Sequence, residues 1–185
     1  MKETRQDLGE TKIAGERVYR GRILDLEVDR VRLPNGNEAL REVVRHRGAV
    51  VVLPLLEDGR IVLVRQYRYP TGEVVLELPA GKLDREDESP VDCALRELEE
   101  ETGWRASDTS DLGWFYTTPG FSDEVLHAFF ATGLEPASEH IPDPDETIEI
   151  VTITVDEALN ACLDGGIRDA KTLAALLLAR LRGLI

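Results

Sequence analysis

Hydrophobic and polar positions alternate with a period of two between Glu16 and Val44. Val18, Ile23, Leu24, Leu26, Val28, Val31 and Leu33 lead into Pro34-Asn35-Gly36-Asn37, and Leu40, Val43 and Val44 follow. Successive side chains of a strand point to opposite faces, so this alternation predicts half-buried antiparallel strands, with Asn-Gly as their hairpin turn. A stretch of roughly 45 residues is too short to enclose a stable core. The small sheet is therefore expected to pack on the rest of the chain or on a second subunit.

Two further apolar runs, Ala49–Leu56 and Arg60–Tyr67, flank Glu57-Asp58-Gly59 and predict a second hairpin. Its first strand is apolar on both faces, which places it in the middle of a sheet. Val74–Leu78 reads as another strand, ending at Pro79-Ala80-Gly81. The period then changes. Ser89–Thr102 has a capping serine, Pro90 in its first turn, Asp92 at its positive end and Gly103 as its stop, the marks of a helix. Strands follow at Leu112–Thr117, Val125–Thr132 and Ile148–Val155. Two helices finish the chain at Asp156–Leu163 and Ala170–Leu181, with Gly165-Gly166 between them. The predicted fold class is α+β, an α-β-α sandwich with a mixed central sheet flanked by helices. Residues 1–45 form a separate small antiparallel sheet and residues 46–185 the main domain.

At 185 residues, with 42% hydrophobic and 31% charged positions, the chain has the balance of a folded globular protein. No segment approaches the roughly 20 apolar residues that cross a bilayer, and the start MKETRQDLGE lacks the apolar stretch of a secretory signal, so the expected location is cytoplasmic, with no membrane partner. The net charge of −14, with no cluster of lysine or arginine, argues against nucleic acid as a partner. A small phosphate-bearing molecule stays open, because a divalent metal neutralises both an acidic cluster and the phosphate it receives. Cys93 and Cys162 show no metal-ligand spacing and read as buried thiols. His46, His127 and His140 read as structural or exposed.

Residues of a helix are about 100° apart, so Glu97, Glu100 and Glu101, at i, i+3 and i+4, share one face. Val91, Ala94, Leu95 and Leu98 occupy another. Mutually repelling carboxylates need an offset. Solvent with Arg96 supplies one; a hard divalent cation, which takes oxygen ligands, supplies a sharper one. The helix alone fits both.

The flanking residues separate the two. Gly81-Lys-Leu-Asp-Arg-Glu-Asp-Glu88, seven residues, then Arg96-Glu97-Leu98-Glu99-Glu100-Glu101-Thr102-Gly103-Trp104 closely resembles the Nudix box: Gly, five residues, Glu, seven residues, Arg-Glu-aliphatic-any-Glu-Glu-any-Gly-aliphatic. Six residues rather than five separate Gly81 from Glu88, which lengthens the loop and leaves the helix register intact. The resemblance implies a Nudix fold and a magnesium- or manganese-dependent attack of water on a phosphorus of a nucleoside diphosphate. Glu97 and Glu101 would hold the metal, with Glu100 shared and the carbonyl of Ala80 a further ligand. Arg96 would orient a box glutamate. No protein nucleophile is required. A general base is expected from the acidic stretch Asp143-Pro144-Asp145-Glu146-Thr147-Ile148-Glu149, with Glu146 favoured.

Outside the box, Pro119 stands 16 residues after Gly103, within Thr118-Pro119-Gly120-Phe121-Ser122-Asp123-Glu124. That segment is similar to the ADP-ribose pyrophosphatase subgroup, as are Arg65-Gln66-Tyr67-Arg68 and Glu77-Leu78-Pro79-Ala80-Gly81. The likeness implies cleavage of ADP-ribose to AMP and ribose 5-phosphate. Arg68 would grip a phosphate through its planar fork, and Glu77, Pro119 and Phe121 would belong to the substrate site. Glu124 is expected near the metals or the terminal ribose, and Tyr67 and Tyr19 are candidates for stacking on a base. The N-terminal strands resemble those that pair across a two-fold axis, which implies a homodimer. Two alternatives stand beside this reading: another nucleotide sugar such as a GDP-hexose, and a non-catalytic ADP-ribose-binding sensor.

Overall fold

The alternation at the start of the chain forms three strands, β1 (Thr11–Arg20), β2 (Asp25–Arg32) and β3 (Glu38–Arg45), in a computed structural model that describes residues 7–137 and 147–185. They pair antiparallel in the order β1-β2-β3. β1 reaches back to Thr11, further than the alternation suggested. The turn joining β2 to β3 closes on a hydrogen bond from Gly36 N to Leu33 O, with Gly36 at φ 88°, a conformation that glycine adopts without steric cost.

The described residues divide into two compact units. One ends at His46 and also takes in Thr118–Glu124; the other takes Arg47–Thr117 and the chain from Val125 on. In the first unit the 121–123 backbone runs beside β3, where Val44 N donates to Phe121 O at 2.8 Å and Asp123 N to Val44 O at 3.3 Å. All ten residues of β1 are exposed, and only Asp29 and Val31 of this sheet are buried.

The second unit holds β4 (Ala49–Pro54), β5 (Arg60–Arg68), β6 (Glu73–Glu77), β7 (Ala80–Lys82), α1 (Pro90–Thr102), β8 (Trp104–Tyr116), β9 (Val125–Pro136), β10 (Ile148–Thr154), α2 (Val155–Asp164) and α3 (Ala170–Leu181). One sheet has the order β7-β4-β9-β8 and is mixed, since β4 and β9 run parallel and their other pairings are antiparallel. The other, β10-β5-β6, is antiparallel. β4 is buried at every position, as expected of a central strand apolar on both faces. Val50 and Val52 pack with Cys93, Ala94 and Leu98 of α1. Val51 and Leu53 pack with Ala158 of α2 and with Ala175, Leu176 and Ala179 of α3. Helices thus cover both faces, the sandwich expected from the pattern. Each fully buried Leu or Val contributes about 1.5–3 kcal/mol.

The second unit departs from the sequence pattern at β8, β9 and β7. β8 starts at Trp104, not Leu112, because Arg105, Ala106 and Asp108–Ser110 pair with β9 although they are largely polar and exposed; β8 is an edge strand, where side chains on the solvent face need no apolar character. β9 runs on to Pro136, past Thr132. Ala80–Lys82 form a short strand on the edge of β4 instead of a loop.

Candidate active site

α1 begins and ends as its sequence dictates. Ser89 Oγ accepts the Asp92 backbone N–H, and Gly103, at φ 69°, donates to Glu99 O at 2.9 Å. Cys93, Ala94, Leu98 and Thr102 are buried and so fix the helix's rotation. That rotation aims Glu97 and Glu101 at β7. Glu101 is 8% exposed, and its Oε2 accepts the Ala80 backbone N–H at 3.0 Å. Glu97 lies against Gly81, where an added Cβ would come within 1.9 Å of its Cδ. The Ala80-Gly81 backbone is held from its other side by pairing with Val50 and Val51 of β4. One turn of helix therefore brackets one short strand with two carboxylates.

Arg96 binds the carboxylates on its side of the helix. Its Nε and Nη2 donate to the two oxygens of Glu88 at 2.7 and 2.9 Å, and Nη1 donates to Glu97 at 2.8 Å and to Glu100 at 2.6 Å. Arg85 Nη2 donates to the other oxygen of Glu100 at 3.0 Å. The hydrogen bonds from Arg96 hold the Glu88 carboxyl below the usual carboxylate range, against the effect of burial, and Glu88 in turn raises the Arg96 pKa. Burial pushes the Cys93 thiol up to about 12, so it stays protonated beneath the helix. In this lengthened loop Asp87 has a φ of 64°, the one positive value on a non-glycine residue among those described. With the chain turned there, Glu88 still reaches Arg96.

Among the described residues, no group of three or more His, Cys, Asp or Glu side chains already converges as a metal site. Glu97 and Glu100 are turned onto Arg96, and Glu101 onto the Ala80 N–H. The donor set nevertheless fits a hard divalent cation: it is all oxygen, rich in charge, partly buried and carried on a rigid helix. The space at Gly81, which a Cβ would fill, seats one of these carboxylates beside the Ala80 backbone.

A second cluster lies at the end of β6. Glu77, 2% exposed, accepts Arg68 Nε and Nη2 at 2.7 and 2.8 Å and also accepts Lys171 Nζ. Lys171 also pairs with Asp169 at 3.0 Å. Burial raises the Glu77 pKa, but Arg68 and Lys171 outweigh it and leave the carboxyl below its usual range. Thr172, fully buried, accepts the Leu78 N–H at 2.8 Å. Asp169, Lys171 and Thr172 were absent from the sequence reading. Asp169 caps α3, and the contact of that helix start with a strand 94 residues earlier leaves no mark in a single sequence.

Tyr67, on β5, is 56% exposed. Pro119, Phe121 and Glu124 belong to the first unit. There Thr118 O accepts Phe121 N and Ser122 N at 3.1 and 2.9 Å, a turn that contains Pro119. Phe121 is 56% exposed, and Glu124 lies 3.3 Å from His46 Nδ1. Glu146 and His140 fall outside the described residues. No helix among the described residues is long and apolar enough to cross a membrane.

Comparison with known proteins gives the chain's family and relatives. The family model described as NUDIX domain matches residues 44–176, and that described as nucleoside diphosphate sugar hydrolase N-terminal domain matches residues 10–44. An ADP-ribose pyrophosphatase of Bacillus subtilis is 42% identical over 172 residues, 92% of each chain. A GDP-mannose pyrophosphatase of Yersinia enterocolitica is 34% identical over 80% of this chain and 81% of its own. A crystal structure of an ADP compounds hydrolase superposes with a TM-score of 0.85 at 27% identity, covering 96% of this chain and 97% of that one. With a helix of box glutamates set against Ala80-Gly81 and a family model spanning most of its length, the chain belongs to the Nudix family of pyrophosphohydrolases.

Proposed function

We propose that the protein hydrolyses ADP-ribose to AMP and ribose 5-phosphate, with magnesium or manganese held by Glu97, Glu100, Glu101 and the carbonyl of Ala80. The observation that carries the reading is the bracketing of Ala80-Gly81 by Glu97 and Glu101. The bound cation would supply charge neutralisation at the phosphate oxygens and a lowered pKa for water. Arg96 keeps Glu97 and Glu100 in register, and Glu88 keeps Arg96 in place. Arg68, oriented by Glu77, grips a substrate phosphate. Glu146 takes the proton of the attacking water, whose oxygen ends on one phosphate as the P–O–P bridge breaks. Pro119, Phe121, Glu124 and Tyr67 serve the substrate. The named activity of the relative from Bacillus supports the adenine nucleotide, and that of the relative from Yersinia supports a GDP-hexose as the second reading.

The protein acts, on this reading, as a homodimer joined through its N-terminal strands, in the cytoplasm, and without nucleic acid as a partner. The exposed apolar side chains of the first unit support the dimer. Turnover of ADP-ribose and GDP-mannose with magnesium or manganese tests the assignment: ADP-ribose is cleaved with the higher kcat/KM, and preference for GDP-mannose overturns it. Glu101→Gln abolishes turnover of both with circular dichroism unchanged, and ligand binding without turnover in the unaltered protein makes it a sensor instead. Glu146→Gln keeps metal binding and lowers kcat by about 100-fold.

A further inference from the structure

We propose that Lys171 and Thr172, on the first turn of α3, are positioning residues for the reaction, holding the 77–81 segment so that Arg68 and the Ala80 carbonyl keep their aim. The inference rests on the reading above in which Arg68 meets a substrate phosphate.

The segment is fastened at successive residues. Glu77 is shared by Arg68 and Lys171, the Leu78 N–H is taken by Thr172 Oγ1, Pro79 O accepts the Val52 N–H at 2.9 Å, and the Ala80 N–H is taken by Glu101. Two of these four anchors come from the start of α3, and Asp169 organises both. Its Oδ2 accepts from Thr172 N at 3.0 Å and Thr172 Oγ1 at 2.6 Å, while its Oδ1 lies 3.0 Å from Lys171 Nζ. Because Thr172 donates its hydroxyl proton to Asp169, its oxygen is oriented to accept from Leu78. This is a polar chain of fixed direction, from helix cap to strand end.

Lys171 matters for a charge reason. Glu77 is almost fully buried, and a buried carboxylate with one cationic partner draws that partner inward. Arg68 reaches both Glu77 oxygens, and Lys171 adds a second cation on Oε2. Arg68, whose side chain remains 38% exposed, is braced by its Nε and Nη2 rather than buried. Without Lys171, the guanidinium is the carboxylate's sole neutraliser and loses attraction for an external phosphate. Thr172 acts on the other end of the segment, through the backbone that leads to Ala80.

The test is steady-state hydrolysis of ADP-ribose by the full-length protein at varied magnesium. Lys171→Met raises KM about tenfold with kcat changed less than threefold, and Lys171→Arg restores KM to within about threefold. Thr172→Val raises the magnesium concentration for half-maximal rate about fivefold, while Thr172→Ser leaves it unchanged. In an Arg68→Met background, Lys171→Met adds less than about a twofold further rise in KM, because the two act on one contact. If Lys171→Met is too unstable to assay, Glu77→Gln/Lys171→Met removes the buried charge with its partner and must show the KM defect of Glu77→Gln alone. An unchanged KM in Lys171→Met, or a full multiplicative effect in the Arg68→Met background, overturns the inference. An unchanged KM in Arg68→Met itself overturns the underlying reading of Arg68 instead.

Discussion

Gly81 and Glu97 stand so close that a Cβ on Gly81 would lie 1.9 Å from Glu97 Cδ and 2.1 Å from its Oε1. Gly81 has no positive φ, so its requirement is room and not backbone conformation. Gly81→Ala must therefore push the Glu97 carboxylate away from β7. A displacement near 1 Å at a reacting centre costs about 100-fold in rate. The expected kcat/KM of Gly81→Ala falls by that order, and its melting temperature falls by only a few degrees, since the displaced group is a side-chain end at the margin of the core. Rate and thermal melting measured on one preparation check both halves.

The Glu88–Arg96 pair predicts a pH signature in stability. Arg96 holds the folded-state pKa of Glu88 below its ordinary value of 4.5. A group whose folded pKa is depressed adds stability that is present above the unfolded pKa and is lost as pH falls through the folded pKa. The melting temperature of the wild-type protein should therefore exceed that of Glu88→Gln by a constant margin above about pH 5, and the margin should shrink as pH falls below 4.5. A margin that grows on acidification would show that Glu88 is held protonated.

Most of what the sequence makes legible here has a local cause. The span of α1 follows from Ser89, Pro90 and Gly103, and the central place of β4 from an unbroken apolar run. The box glutamates are readable because helical spacing alone puts them on one face. The polar half of β8 was hidden because edge strands are stabilised by partners rather than by their own pattern. Glu77 was read only as a substrate group, yet it is buried between Arg68 and Lys171, a relation that depends on the sheet order and on where α3 docks. The left-handed turn at Asp87, in the loop before Glu88, was likewise not legible in the residue pattern.

That turn makes its own prediction. Asp87 is exposed and sits at φ 64°, where a side chain meets the following carbonyl and costs about 1–2 kcal/mol in general, less for Asp and Asn. Asp87→Gly removes the steric cost and should stabilise the protein by up to about 1 kcal/mol. Asp87→Val, branched at Cβ, should destabilise it by about 1–2 kcal/mol. Chemical denaturation of the two variants reads the difference. Because Glu88 keeps its reach to Arg96 in Asp87→Gly, kcat for that variant should match wild type within about twofold.

The first unit exposes Ile13, Val18, Tyr19, Ile23, Leu24 and Leu40, at 38–66% of their surface, while burying only Val31 among its large apolar side chains. A sheet that leaves so much apolar surface in water gains little from folding by itself. Covering it gains roughly 25 cal/mol per Å², and a second copy of the same strands offers a matching apolar surface. Light scattering should therefore give a mass of about 41 kDa, twice the chain's 20.6 kDa. Val18→Glu/Leu24→Glu, which puts charge into that surface without touching the core of the second unit, should shift the mass toward 20.6 kDa and raise the dimer dissociation constant at least about 100-fold. A wild-type mass of 20.6 kDa at micromolar concentration would remove the two-fold pairing from the account, while leaving the chemistry assigned to α1 and β7 where it stands.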